Sequence, residues 1–174
     1  YKIDGYIIPK NDEYFNEYTN LFKDRLRFIS NFSGSAGFAV LLKKKNYLFV
    51  DGRYTIQARY QSGKKFNIIT IPNKLPRDVL RFAKKVILGF DPRLHTEKQL
   101  NSTFNVKNIN LKPIQKNLVD IAWSNTKKKL VKPFFSISEK NAGATREKKI
   151  SKVKNILLKN NIDYLLVTAP ENVA

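Results

Sequence analysis

Short apolar runs alternate with longer polar stretches along the first part of the chain. Six runs show the continuous or alternating apolar pattern of β-strands, and most end in aspartate, glycine or proline. The predicted strands are residues 4–9, 38–43, 46–51, 66–72, 86–92 and 108–114. Since little more than the lysine triplet 43–45 separates the second strand from the third, these two are predicted to form a β-hairpin with a charged tip.

The segments between these strands have the spacing of short helices. The predicted helices are residues 24–32, 53–63, 75–85, 96–104 and 117–123. Asp24 and Thr96 are suitable N-caps, and in the third helix Val79, Leu80 and Ala83 would share one face. Strands that alternate with helices predict a three-layer α/β domain, and the hairpin makes its sheet a mixed one.

The pattern restarts after a break, which predicts a second domain. The predicted parts are a complete α/β domain over 1–123, a linker over 124–144 and an incomplete second domain over 145–174. Thr145 can cap a helix in the last part, and residues 163–170 have the pattern of a strand. One helix and one strand cannot bury a core, so we expect only the start of a domain of similar type.

Composition places the chain among globular proteins. Hydrophobic residues make up 42% and aromatic residues 12%, enough for a sizeable core. Cysteine is absent, which excludes disulfides and thiolate chemistry, and no apolar run approaches the ~18 residues of a membrane-spanning helix. Methionine is absent as well, so residue 1 is not a translation start and we expect a fragment of a longer protein.

The formal net charge of +19 raises the question of an anionic partner. A strongly basic chain can bind nucleic acid or an anionic membrane surface. Here the lysines occur in pairs and triplets at turns, and no stripe with interleaved aromatic residues is visible. A solvated lysine surface is therefore the preferred interpretation, and a basic nucleic-acid-binding domain is the weaker alternative.

Few residues of this chain suit catalysis. The single histidine, His95, directly precedes the predicted helix cap and has no evident partner, so a surface or capping role is expected. The fourteen acidic residues are scattered among thirty-three basic ones, and we predict neither a catalytic residue nor a metal site. The "SGSAG" segment, 33–37, could be a phosphate nest, but it lacks the P-loop lysine. A close approach of the backbone to a neighbour is the preferred explanation.

The turn "DGR" at residues 51–53 allows two interpretations. Asp51 can cap the following helix while Arg53 is solvated or paired with a neighbouring acid. Alternatively, the planar guanidinium of Arg53 is a fork for a carboxylate, held on a rigid strand end. The spacing alone favours the first interpretation.

Several motifs together resemble one family. They are, in order, "DGYIIP", "NDEYFNEY", "RLRFISNFSGSAGFAVL", "LFVDGRYTIQA", "GFDP", "NLVDIAW" and "IDYLLVTAPENVA". They resemble the N-terminal region of the three-domain form of Xaa-Pro aminopeptidase, a member of the creatinase/prolidase group of metallohydrolases. The resemblance covers essentially the whole chain and implies a creatinase N-terminal fold followed by the beginning of a similar second domain.

The resemblance also implies a function for the longer protein. Such an enzyme removes the N-terminal residue from peptides with proline second, using two divalent metals, usually manganese, bound in a third domain. None of that domain's motifs is present here, so only Arg53 is carried over, as a substrate-binding residue. A cytoplasmic homodimer is implied, in which this portion supports oligomerisation and substrate access. A catalytically inactive relative that serves as an interaction module is the alternative.

Overall fold

The computed structural model describes residues 1–82, 84–123, 133, 135–169 and 172. It divides the chain into two compact units, Tyr1–Lys127 and Lys128–Ala174. The strands are β1 Gly5–Pro9, β2 Gly37–Leu42, β3 Asn46–Asp51, β4 Asn67–Ile71, β5 Val86–Phe90 and β6 Ile109–Pro113. The helices are α1 Arg25–Ser30, α2 Thr55–Ser62, α3 Pro76–Val79, α4 Glu97–Phe104, α5 Leu118–Trp123, α6 Glu139–Ala142 and α7 Arg146–Lys159.

The first unit is built on one mixed sheet of six strands in the order β4-β3-β2-β1-β5-β6. Strand β2 runs antiparallel to both of its neighbours, and the other pairs are parallel. Five strands therefore point the same way, and their carboxyl ends lie along one edge of the sheet. The predicted hairpin, the mixed sheet and the α/β class are confirmed.

Helices cover both faces of the sheet because neighbouring strand residues point to opposite sides. Ile8 belongs to a core cluster that includes Leu26 of α1, Ala58 of α2 and Val119 of α5. Ile7, the adjacent residue, belongs to a second cluster with residues of α4 and the end of α3. The result is the three-layer arrangement that the alternation of strands and helices predicted.

The helix predicted over 75–85 is wrong in length. Only one turn, α3, forms, and it ends at Val79. Leu80 leaves the helical conformation and is almost fully buried in the second core cluster. Burial of this side chain outweighs the weak tendency of so short a helix to continue. Ala83, which was expected on the same face, lies outside the described residues.

The second unit contains two helices among its described residues. Thr145 caps α7 as predicted, since its hydroxyl accepts a hydrogen bond from the Lys148 amide at 3.1 Å. The strand predicted over 163–170 is wrong for residues 163–169, which have no strand structure; residue 170 lies outside the described residues. A strand requires a hydrogen-bonded neighbour, and no second strand is present in the described part of this unit.

The boundary between the units falls in the predicted linker. Residues 124–132 and 134 lie outside the described residues, so the linker over 124–144 stays a prediction. Helix α6 occupies part of the remainder. No helix in the described ranges is long and apolar enough to cross a membrane.

Candidate functional site

Polar side chains collect at the edge where β1, β3 and β5 end. We call this the carboxyl edge; it comprises the turns that follow Pro9, Asp51 and Phe90. In open α/β sheets the crevice outside the carboxyl ends of the strands is the usual place for ligands. The candidate residue Arg53 lies here, and so do His95 and a second arginine, Arg93.

Arg53 is fixed by the aspartate two residues before it. A single 3₁₀ turn, Gly52–Tyr54, follows β3, and Asp51 Oδ1 accepts hydrogen bonds from the Arg53 amide and from Nε, both at 2.9 Å. Nη2 lies 3.3 Å from Oδ2. The hydrogen bond from Arg53 lowers the pKa of Asp51, so this carboxylate stays ionised and the guanidinium is held side-on.

The outer side of the Arg53 guanidinium remains accessible. The side chain is 72% exposed, and Nη1 has no hydrogen-bond partner in the described part of the chain. Cζ lies 5.5 Å from the centre of the Tyr54 ring, whose hydroxyl lies 2.9 Å from Ser35 Oγ. The first sequence interpretation is confirmed, because the arginine is paired with Asp51. The second, a fork for a carboxylate, stays a prediction, for which the Nη1–Nη2 side remains accessible.

The same turn occurs a second time at the end of β5, which the sequence analysis missed. Asp91 Oδ1 accepts from the Arg93 amide at 3.0 Å and from Nε at 3.1 Å, and Nη2 donates to Oδ2 at 2.8 Å. Here the carboxylate is 1% exposed and also accepts from Asn117 Nδ2 at 2.9 Å. The repeated letters "D-x-R" after an apolar run were the available signal.

A buried ionic network braces this edge. Lys10 Nζ lies 2.6 Å from Asp24 Oδ2, with both residues buried. Arg25 binds both Asp120 and Glu13. Burial on its own raises the pKa of Glu13, but hydrogen bonds from Lys23, the backbone and Arg25 outweigh it and lower the pKa to about 2. These charges are already paired, so their role is structural.

His95 is not the surface residue that the sequence predicted. Its ring packs edge-on against Phe90 at 5.7 Å, and Nε2 is buried without a hydrogen-bond partner among the described residues. Burial lowers its pKa to about 4, against a weaker opposing effect of the Asp91 charge. Thr96, and not His95, caps α4. The ring lines a cleft of about 180 Å³ with Pro9, Phe38 and Phe104, and at neutral pH it carries no charge.

The glycine-rich segment 33–37 fits the close-approach explanation. A Cβ at Gly37 would lie 2.7 Å from the backbone oxygen of Phe49 on β3. The Ser33 amide donates to Gln61 Oε1 at 3.0 Å, and Ser33 Oγ accepts from Gln57 and Gln61. A group that would have to face a phosphate is thus already bound to α2.

Comparison with known proteins identifies the family to which this fold belongs. The family model of the creatinase/prolidase N-terminal domain matches residues 1–120. The chain belongs to this family. Its described residues hold no group of three or more histidine, aspartate or glutamate side chains placed to bind a metal ion.

Relatives of the same family align with nearly the whole chain. A probable Xaa-Pro aminopeptidase P of Coprinopsis cinerea is 33% identical over 99% of this chain, and Xaa-Pro aminopeptidase app-1 of Caenorhabditis elegans is 28% identical over 97%. The chain spans only 29% of the length of either relative.

Solved structures agree with the family assignment. The crystal structure of X-prolyl aminopeptidase from Caenorhabditis elegans, described as a cytosolic enzyme with a di-nuclear active site, superposes with a TM-score of 0.74. It is 26% identical, and the match covers 92% of this chain and 28% of that one. The creatinase/prolidase-like N-terminal domain of a putative metallopeptidase from Corynebacterium diphtheriae shares the fold at 18% identity, with a TM-score of 0.52, over 67% of this chain and 86% of that one.

Proposed function

We propose that this chain is the N-terminal portion of a metal-dependent Xaa-Pro aminopeptidase, and that it binds substrate without performing chemistry. The enzyme removes the N-terminal residue from peptides with proline in the second position. The observation that carries the proposal is the geometry of Arg53, which Asp51 holds side-on at the carboxyl edge while its outer side stays exposed. The names of the relatives support the reaction class.

The role of Arg53 follows from the chemistry of its guanidinium. The Nη1–Nη2 side can donate two parallel hydrogen bonds to a peptide carboxylate, or one to a backbone carbonyl. Because Asp51 already restricts the side chain, less conformational entropy is lost when the peptide binds. A hydrogen bond to a charged group contributes roughly 1.5–3 kcal/mol. Arg53 therefore raises affinity and orients the peptide, and bond cleavage takes place elsewhere in the protein.

The metals of the proposed enzyme do not fit the residues that the structure describes. The one histidine has its pKa lowered by burial and lies beside Phe90. The carboxylates of Glu13, Asp51 and Asp91 are paired with arginine or lysine, and Asp12 accepts hydrogen bonds from Tyr14 and Asn16. We therefore assign two divalent metals, manganese by preference, to a catalytic domain outside residues 1–174. A cytoplasmic homodimer belongs to the same proposal, with the neighbour described as cytosolic in support.

The proposal includes a second, incomplete domain over residues 145–174, after a linker over 124–144. In support, α7 leaves apolar side chains in solvent, including Ile156 and Leu158, and the segment after it exposes Tyr164 and Leu166 at 91% and 85%. Soluble domains normally cover such surface. The remainder of the second domain is the proposed cover.

Assays of two proteins test this function. The full-length protein should cleave an Xaa-Pro tripeptide with manganese, and the 174-residue chain alone should not cleave it with manganese, cobalt or zinc. Cleavage by the repurified chain above a metal-free control would contradict the non-catalytic role. A full-length protein that folds and binds manganese but fails to cleave would favour the alternative, an inactive relative that serves as an interaction module.

A further inference from the structure

The edge opposite the carboxyl edge is lined with lysines. We call it the amino edge; here β1, β3, β4, β5 and β6 begin and β2 ends. Every strand has lysines at this end. They are Lys2 before β1, Lys43, Lys44 and Lys45 between β2 and β3, Lys64 and Lys65 before β4, Lys84 and Lys85 before β5, and Lys107 before β6. All nine are exposed.

Hydrogen bonds and strand register join these lysines into one row. Gly5, the first residue of β1, pairs with Leu42, the last residue of β2, and with Leu88, so β5 begins two residues beyond the start of β1 at the same edge. Asn46 Nδ2 donates to the Lys65 carbonyl at 3.3 Å, which ties the start of β4 to the hairpin tip. With neighbouring strands about 4.8 Å apart, six strands give a row of about 24 Å.

Little negative charge offsets this row. Asp4 is the one acid in the sequence segments that lead into or out of the strands at this edge. Its Oδ2 accepts from the Ile87 amide at 3.0 Å and its Oδ1 lies 3.7 Å from Lys43 Nζ. The acids Asp12, Glu13, Asp51 and Asp91 all lie at the carboxyl edge. The amino edge therefore carries nine lysines against one acid, whereas acidic and basic residues are mixed at the carboxyl edge.

We propose that the amino edge binds the phosphate backbone of a nucleic acid duplex without reading its sequence. Lysine ammonium groups are point charges that suit phosphate oxygens. A row of about 24 Å spans roughly seven base-pair steps at 3.4 Å each. The fold gathers at one edge lysines that are scattered in sequence order, which removes the main reason to regard them as solvated surface only.

The composition of the edge favours a duplex over other anions. Binding of single strands depends on aromatic side chains that stack on successive bases, and Tyr1 is the one exposed aromatic residue among the described residues of this edge. Helices that lie on a membrane surface insert an apolar face, which a row of strand ends does not provide. Phosphates of a duplex need only the regularly spaced charges that are present.

The test measures binding of the full-length protein to a labelled duplex of about 20 base pairs at several salt concentrations. The first variant, Lys43→Gln/Lys44→Gln/Lys45→Gln, removes the hairpin-tip charges. The matched control, Lys148→Gln/Lys149→Gln/Lys152→Gln, removes three exposed lysines of α7. Its net charge is the same as that of the hairpin-tip variant. A second edge variant, Lys64→Gln/Lys65→Gln/Lys107→Gln, repeats the test at other strands. Circular dichroism and Xaa-Pro cleavage verify folding.

We expect the wild-type affinity to fall steeply with salt, with a logarithmic slope of about −4 to −5 for some five phosphates. Each edge variant should bind roughly tenfold to a hundredfold more weakly and with a slope smaller by about 2–3, and the control should bind within about twofold of wild type. The proposal is overturned if the edge and control variants lose duplex affinity equally, or if the wild-type protein does not bind the duplex at the lowest salt concentration. It is also overturned by edge-dependent binding to phosphatidylserine vesicles or to single strands in place of the duplex.

Discussion

Arg25 and Asp120 lie 95 positions apart in the chain and meet side-on, with Arg25 Nε 2.7 Å from Oδ1 and Nη2 2.9 Å from Oδ2. Arg25 belongs to α1, Asp120 to α5, and Nη2 also donates to Glu13 at 2.9 Å. Two of the motifs that carry the family resemblance, around "RLRFISNF" and "NLVDIAW", are thus joined at one guanidinium. Their role in the creatinase-type domain is to hold α5 against α1.

Replacing Arg25 should therefore destabilise the fold. Its side chain is 5% exposed, but that of Asp120 is 43% exposed, so removal of Arg25 costs less than the loss of a partner in a fully buried pair, roughly 1–3 kcal/mol. Arg25→Ala should lower the free energy of unfolding by that amount, and Arg25→Lys by less, since lysine keeps the charge but not the fork. Urea unfolding measures both.

The control for Arg25 is the next arginine of the same helix. Arg27 is exposed, and its side chain makes no hydrogen bond within the described ranges. Arg27→Ala should change the free energy of unfolding by less than about 0.5 kcal/mol. If Arg25→Ala and Arg27→Ala lower the free energy of unfolding equally, the ion pairs of Arg25 do not stabilise the packing of α5 against α1.

His95 should make the stability of the domain depend on pH. Its pKa is 6.5 in the unfolded reference and about 4 in the fold, so the unfolded state takes up a proton first. The free energy of unfolding should fall as the pH drops from about 6.5 to about 4, by up to roughly 3 kcal/mol. His95→Phe, which keeps a ring beside Phe90, should remove this slope in urea unfolding.

A second titration provides the internal control for His95. The pKa of Glu13 is lowered to about 2, so its contribution is present above its unfolded pKa of 4.5 and is lost as the pH falls toward 2. That loss should persist in His95→Phe. If the free energy of unfolding of His95→Phe still falls as steeply between pH 6.5 and 4 as that of the wild type, His95 does not titrate as its buried position requires.

Gly37 should tolerate no larger residue. A Cβ there would lie 2.7 Å from the Phe49 backbone oxygen, and the residue has φ of +155°. Gly37→Ala should lower the free energy of unfolding by about 1–3 kcal/mol through overpacking. Gly52→Ala is the matched control, because the nearest atom to its Cβ is Thr70 Cγ2 at 3.8 Å. A loss at Gly52 as large as that at Gly37 would refute the close-approach explanation.

Local signals predicted the local structure well. The hairpin around the lysine triplet and the caps at Asp24 and Thr96 all formed, because each depends on residues within a few positions. The length of α3 was wrong because burial of Leu80, a tertiary effect, ended the helix. Residues 163–169 look like a strand in sequence, but strand formation depends on a partner that the pattern does not reveal.

The site was predictable only in part, for the same reason. Arg53 and Asp51 are two residues apart, so their pairing was within reach of the sequence. The burial of His95 depends on Phe90 and on the packing of α4, and the anchoring of Asp91 depends on Asn117. The lysine row of the amino edge exists only once the strand order is known. Contacts between residues far apart in the chain decide these features.

The central claim, that Arg53 binds the peptide, is tested most directly by steady-state kinetics of the full-length protein with an Xaa-Pro tripeptide. Arg53→Ala should lower kcat/KM by roughly tenfold to a hundredfold, as expected when a charged hydrogen bond is lost. The melting temperature should change little, because the side chain is 72% exposed. The kcat/KM of Arg53→Lys should lie between those of the wild type and Arg53→Ala, since lysine keeps the charge but cannot form two parallel hydrogen bonds.

Arg59→Ala, at an exposed arginine on α2, is the matched control and should keep wild-type kinetics. The account predicts a loss of kcat/KM in Arg53→Ala, a smaller loss in Arg53→Lys, and none in Arg59→Ala, all at nearly constant melting temperature. Wild-type kcat/KM in both Arg53 variants, or a lowered melting temperature with unchanged kinetics per folded molecule, would contradict it.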